Sequence, residues 1–261
     1  MSIIIVIINQ KGGVGKTSSC VNIGTALALD GNKTLIVDFD PQGAVATTLG
    51  FQPDLLESTI YEVLFGNLNP AAAIFQTPVE NLSILPSNLQ LAEGEVRLIG
   101  SIGGEYYLKK ALNRIQDQFD YILIDTPPSL SLLSTNALVA ADKVLIPVSC
   151  DILSLRGMEN LLEHITRVKE ILNPDLSILG IIINMFDKRT LHARESKELL
   201  EEEFGKQIKI FQTVIMNTTK IRDAWGAKES VILYDKNAEV TREYIQLAKE
   251  VENATKKNTA D

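Results

Sequence analysis

The residues best placed to do chemistry stand together near the start of the chain: Lys11-Gly12-Gly13-Val14-Gly15-Lys16-Thr17-Ser18. Three glycines followed by a lysine and two hydroxyl residues suit one task. Small residues let consecutive backbone N–H groups turn inward on a triphosphate, and a helix opening at Lys16 adds the positive end of its dipole. Lys16 would reach the β- and γ-phosphates, and the Thr17 hydroxyl would sit on Mg²⁺. The common form of such a loop, G-x-x-x-x-G-K-[ST], would place its first glycine at position 10. Gln10 stands there instead, and Lys11 supplies a second cation. The alternative is a glycine-rich strand–helix turn that binds nothing, but an apolar strand, three glycines, Lys16-Thr17 and an apolar helix in that order favour nucleotide binding.

Triphosphate hydrolysis also needs a metal ion and a group that sets water in line with the γ-phosphate. Two acidic stretches could serve. Leu35-Ile36-Val37-Asp38-Phe39-Asp40 ends an apolar strand with two carboxylates, at the strand edge where ligands of open α/β sheets bind. Tyr121-Ile122-Leu123-Ile124-Asp125 has the form of a Walker B strand, whose terminal carboxylate orders Mg²⁺ or its waters. Asp40 and Asp125 are the candidates, with Asp38 in support. Each could instead be a turn-forming or capping aspartate, which is common at strand ends.

These residues need a scaffold, and the apolar pattern supplies one. Short apolar runs at 3–8, 34–37, 82–85, 120–124, 143–148, 177–183 and 209–215 read as strands. Helical periodicity is expected over 16–29, 56–65, 88–98, 105–117, 130–140, 154–172, 190–204 and 238–254. The alternation predicts an α/β domain with a mostly parallel, twisted sheet carrying helices on both faces. No composition break divides the 261 residues, so one domain over 1–254 and a flexible tail over 255–261 are expected. The last helix carries an apolar stripe, Val240, Tyr244, Leu247, Ala248 and Val251, opposite a mixed acidic and basic face. That composition predicts packing onto the domain; a membrane helix would be more basic and richer in large apolar residues. Cys20 and Cys150, far apart and in no metal-binding pattern, are expected to be small core residues. With no signal peptide and no membrane-length apolar run, a cytoplasmic protein is expected. Net charge is −8, which excludes a protein that merely coats nucleic acid. Residues 188–228 nonetheless hold nine lysines and arginines against six acids, leaving room for a local basic face.

Taken together, K-G-G-V-G-K-T at 11–17, D-F-D-P-Q-G at 38–43 and I-D-T-P-P-S at 124–129 resemble the ParA family of deviant Walker A ATPases, over nearly the whole chain. The resemblance implies a single P-loop NTPase domain that partitions chromosomes or plasmids, with ATP and Mg²⁺ as cofactors. It further implies a homodimer with ATP sandwiched between the subunits, Lys11 of each crossing to the other's nucleotide. Lys11, Lys16 and Asp40 would then be catalytic, Asp40 orienting the attacking water. Lys11 to Ser18 would hold the phosphates, and Thr17, Asp40 and Asp125 would serve the metal. Asn184, closing the strand Leu179–Ile183, fits the family's adenine-reading asparagine; an asparagine that only ends a strand is the alternative. Charge agrees with the sandwich, because two ammonium groups near one site repel unless a triphosphate lies between them.

The same resemblance implies non-specific binding of double-stranded DNA by the ATP dimer, placing the cytoplasmic protein on the nucleoid, and release by a ParB-like activator of a slow hydrolysis. Phe186-Asp187-Lys188-Arg189-Thr190 is similar to the family's Y-D-x-R-T segment and makes Arg189 a candidate phosphate contact. Residues 215–225 depart from the family stretch: Met216 and Asn217 replace its proline and first arginine, and Lys220 takes the place of the second arginine. Lys220 and Arg222 are candidates for the same role or are solvated surface charges. A MinD-like membrane-cycling ATPase, a nitrogenase-reductase-like electron carrier and a ParA-like protein positioning a cargo other than DNA share the loop. The last helix counts against the first, and the cysteine positions count against the second. No membrane contact is expected.

Overall fold

A computed structural model gives the fold and describes residues 2–150 and 157–257. Five successive Ile and Val residues form the strand Ile3–Ile7 (β1), an almost wholly buried ribbon. Its alternate side chains feed opposite faces of the sheet: Ile4 and Val6 enter one core, Ile5 and Ile7 the other. β1 lies between Tyr121–Asp125 (β5) and Lys143–Ser149 (β6), parallel to both. The remaining strands are Thr34–Asp38 (β2), Phe75–Gln76 (β3), Leu82–Leu85 (β4) and Ser177–Asn184 (β7). The order is β3-β4-β2-β5-β1-β6-β7, parallel throughout except for β3. Parallel pairing with buried strands requires cover on both faces. One core is closed by Lys16–Leu29 (α1) and Glu239–Lys257 (α11), the other by Gln90–Ile99 (α4), Tyr107–Leu112 (α5), Leu132–Ala140 (α6) and Met158–Ile171 (α7).

This arrangement brings three loops together, because β1, β2 and β5 are neighbours ending at the same edge. The register pairs Ile7 with Asp125 and Asp38 with Asp125, so the phosphate loop and both acidic strand ends leave the sheet side by side.

Several elements differ from expectation. Residues 209–215 do not make a strand. They run alongside β7 with isolated bridges at Ile210 and, beyond, Met216, because the N–H groups of Gln212 and Thr213 donate to the Glu250 carboxylate instead of a ladder. Gly180 admits this approach, since a Cβ there would lie 2.7 Å from the Lys209 carbonyl oxygen. Four short elements escaped the periodicity: β3 and the helices Ala44–Thr48 (α2), Lys220–Gly226 (α9) and Val231–Tyr234 (α10), besides single 3-10 turns. Ile60–Phe65 (α3) is shorter than expected because a capping box between Thr59 and Glu62 starts it. The expected start of α7 at 154 lies outside the described residues. The expected tail is corrected at its beginning: α11 continues to Lys257, and buried Thr255 shares a hydrogen bond with the Tyr121 hydroxyl. Leu191–Phe204 (α8) agrees closely with expectation.

Candidate active site

The loop after β1 is bolted to its surroundings before any ligand arrives. Asn9 is buried, donates to the Pro147 carbonyl in β6 at 2.8 Å and accepts from the Lys11 N–H at 2.9 Å. Gln10, which replaces the usual glycine, donates at 2.7 Å to the Gly157 carbonyl ahead of α7. Gly12 and Gly13 then face solvent, and Gly15 turns in the left-handed region at φ 87° to start α1. Lys16 is buried and its ammonium donates to the Lys11 carbonyl at 3.1 Å. Burial lowers its pKa, and the charges of Asp125 and Asp40 act in the opposite direction.

Beside Lys16, the Thr17 hydroxyl donates to Asp125 Oδ2 at 2.7 Å. Asp125 is fully buried, and its Oδ1 has no hydrogen-bond partner. Burial pushes this carboxyl up to about 7, against the pull of the Thr17 hydroxyl and the Lys16 ammonium. An orphaned carboxylate oxygen next to a threonine hydroxyl fits a hard divalent cation such as Mg²⁺, or a water bound to it. Asp40 lines the same cleft, half-buried, with Oδ1 accepting from the Gln42 N–H at 3.0 Å. Asp38 is different. It is fully buried and accepts from the Val45 and Ala46 N–H groups at 3.0 and 3.2 Å, so it caps α2. Burial, then the Asp125 charge, raises its pKa well above the carboxylate range.

Gly12, Gly13, Lys16, Thr17, Asp40 and Trp225 line a cleft of about 190 Å³. It shares Gly13, Ser18, Met185 and Trp225 with an adjoining, more apolar cavity of about 390 Å³, which Met216, Ile221 and Arg222 complete. A polar loop continuous with an apolar pocket matches the two halves of a nucleotide. Val14 lies beneath the loop, buried. Asn184 is buried behind it: its amide donates to the Val14 carbonyl and to Ser19 Oγ, each at 3.0 Å, while Oδ1 lacks a partner.

Residues 2–178 match the family described as an AAA domain. The chain is 41% identical over 251 residues to the sporulation initiation inhibitor protein Soj of Bacillus subtilis, covering 96% of this chain and 98% of that protein. Identity is also 41%, over 247 residues, to the chromosome-partitioning ATPase Soj of Treponema pallidum, covering 95% and 96%. The chain belongs to the Soj/ParA family of chromosome-partitioning ATPases. Among solved structures, it resembles cobyrinic acid a,c-diamide synthase from Mycobacterium smegmatis with bound ADP and magnesium, at 34% identity and a TM-score of 0.84, covering 95% of this chain and 93% of that one.

Within this family member, the structure brings Lys11 to Ser18, Asp40, Asp125 and Asn184 into one place, sets Arg189 and Lys220 apart from the phosphate loop, and puts Arg222 in the cavity that adjoins it. Arg189 makes a two-pronged ion pair with Asp187, at 2.9 and 2.8 Å. Lys220 pairs with Asp235 at 3.0 Å. Both line a separate cleft of about 360 Å³, whereas Arg222 faces the apolar cavity. Sequence reasoning missed Gln10 as an anchor, and it missed Met185 and Trp225 as walls. Trp225 had one available signal, as the chain's single tryptophan on a segment that departs from the family pattern. Cys20 is buried in one core and Cys150 packs against the other, across the sheet.

Proposed function

We propose that the protein binds ATP with Mg²⁺ in this cleft, dimerises around the nucleotide and partitions chromosome or plasmid DNA. The observation that supports this most is the exposure of Gly12 and Gly13 directly after Lys11. One wall of the phosphate site is built by the chain, and the other stands open at the residues where a second subunit would close it. Lys16 offsets phosphate charge, Thr17 and Asp125 hold the cation, and Asp40 orients the attacking water. Bound Mg²⁺ would neutralise the β- and γ-phosphate oxygens. Lys11 reaches the partner's nucleotide, so affinity between subunits follows the γ-phosphate and hydrolysis loosens the dimer. For Asn184 to read adenine, its Oδ1, buried without a partner behind the loop, must be uncovered as the nucleotide enters.

The ATP dimer binds double-stranded DNA without sequence preference through Arg189, Lys220 and Arg222, and a ParB-like activator stimulates a slow hydrolysis. Arg189 and Lys220 must exchange their carboxylates for phosphates, so binding should fall steeply with salt. The buried stripe of α11 counts against a membrane-cycling role: Val240, Tyr244, Leu247, Ala248 and Val251 all lie in the core. Among the described residues no helix is long and apolar enough to cross a membrane. Sizing the protein with ATP, with ADP and without nucleotide tests the reading. ATP alone should give a dimer, and Lys11→Ala should abolish it. A Lys11→Ala protein that dimerises on ATP as the parent does would refute the sandwich.

A further inference from the structure

We infer that α11 is a brace for the nucleotide cleft, with Glu243 and Tyr244 as positioning residues that fix its two walls. The inference rests on the reading of that cleft as a nucleotide site. The two walls come from distant parts of the chain. One is the phosphate loop with the start of α1; the other is the segment Met216–Trp225, and the apolar cavity lies between them. Neither wall forms part of the sheet. Each continues from a strand end, and one helix touches both.

Adjacent residues of α11 do this. Glu243 Oε2 accepts from the Met216 N–H at 2.9 Å. It thereby orders the residue that opens the apolar wall and leads into Asn217, whose own N–H donates to the Phe186 carbonyl at 2.9 Å. Glu243 is half-buried, and desolvation raises its pKa while the bond from Met216 lowers it. A carboxylate in that setting is retained by the bond it makes.

Tyr244 serves the other wall. Its side chain is fully buried; burial raises its pKa, and Ser19 and Asn22 of α1, beside its hydroxyl, act in the opposite direction. Ser19 Oγ accepts from the Asn184 amide, which also donates to the Val14 carbonyl inside the loop. Asn22 in turn donates to the Ser18 carbonyl at 2.8 Å and accepts from the Val231 N–H at 3.0 Å. Polar groups thus lead from Tyr244 on α11 through Ser19 and Asn184 to the back of the phosphate loop. Glu250, about two turns beyond Glu243 along α11, pins Gln212 and Thr213 and keeps the approach to the apolar wall in register.

The two contacts should separate by ligand. An ATP analogue with a non-hydrolysable γ-phosphate needs both walls, whereas inorganic tripolyphosphate needs only the loop. Calorimetric titration of both ligands, with Mg²⁺, into the full chain tests this. Glu243→Ala should weaken the analogue roughly tenfold, the worth of one charge-assisted hydrogen bond, and leave tripolyphosphate unchanged. Glu243→Gln should recover most of the affinity, because its amide oxygen still accepts from Met216. Glu243→Asp, too short to reach, replaces the alanine variant should that fail to fold. Tyr244→Phe should weaken both ligands. Equal weakening of the two ligands by Glu243→Ala, no weakening, or no recovery with glutamine would overturn the brace. A parent protein that binds neither ligand would overturn the nucleotide reading itself.

Discussion

Replacing Gly15 with alanine probes the geometry behind the phosphate loop. Gly15 sits at φ 87° and ψ 29°, and an added Cβ would lie 2.7 Å from the Asn184 amide nitrogen. Two penalties follow. The left-handed backbone costs an alanine about 1–2 kcal/mol, partly offset by about 0.4–1 kcal/mol from a stiffer unfolded chain. The close contact also displaces the Asn184 amide from the Val14 carbonyl and Ser19, which at a buried site costs about 1–3 kcal/mol. Gly15→Ala should therefore destabilise the protein by about 2–4 kcal/mol. Asn184→Ala, which leaves the Val14 carbonyl unpaired and opens a small void, should cost about 2–3 kcal/mol. In the double variant the amide is gone and the clash has nothing to displace. Its cost should fall short of the sum of the singles by about 1–3 kcal/mol, the contribution of the amide's bonds. Urea unfolding of all four proteins without nucleotide, followed by circular dichroism, measures the cycle. Additivity within about 0.5 kcal/mol would refute the placement of Asn184 against the loop.

Two further outcomes test the scaffold. Leu247→Ala should cost about 2–5 kcal/mol in urea unfolding, because the side chain is fully enclosed between α11 and the sheet; a loss below about 1 kcal/mol would show that the stripe is not core. His164 lies half-buried near the Thr135 hydroxyl, and burial, then Arg167, lowers its pKa. Folding thus favours the neutral imidazole, so its contribution is complete above the unfolded value of about 6.5 and is lost as pH falls through that value towards the lower folded one. The melting temperature should fall more between pH 7.5 and 5.5 for the parent than for His164→Gln, and parallel profiles would contradict this.

How far the sequence disclosed these arrangements depended on whether a residue's task was local. The runs Ile3–Ile7 and Tyr121–Asp125 are strands because every side chain is apolar and buried on both faces, which composition alone conveys. The glycines and Lys16-Thr17 act through their own backbone and neighbours, so spacing sufficed. Asp38 could be read only as a support for Asp40, because the sequence shows two carboxylates at one strand end and not what the first of them binds. Their difference arises from α2, a five-residue helix too short for periodicity to register, whose first N–H groups claim Asp38. The stretch 209–215 alternates like a strand, yet its amides are claimed by Glu250, some forty positions away. Gln10, Glu243 and Tyr244 likewise act on distant backbone or side-chain groups, and no local pattern marks such long-range partners.

The edges of the sheet bear on how copies of this protein can associate. A parallel sheet left open at its sides offers unpaired backbone groups to other chains, a route to uncontrolled stacking. Here β7 is sheathed: Ile181 exchanges hydrogen bonds with Lys209 and Phe211, and the Ile183 carbonyl accepts from Ile215. At the opposite side β3 pairs over only two residues and runs antiparallel. Growth by strand addition is therefore blocked on one flank and starved of length on the other. The sheet's margins thus offer little unpaired backbone to another chain, and any association of copies must use other surfaces.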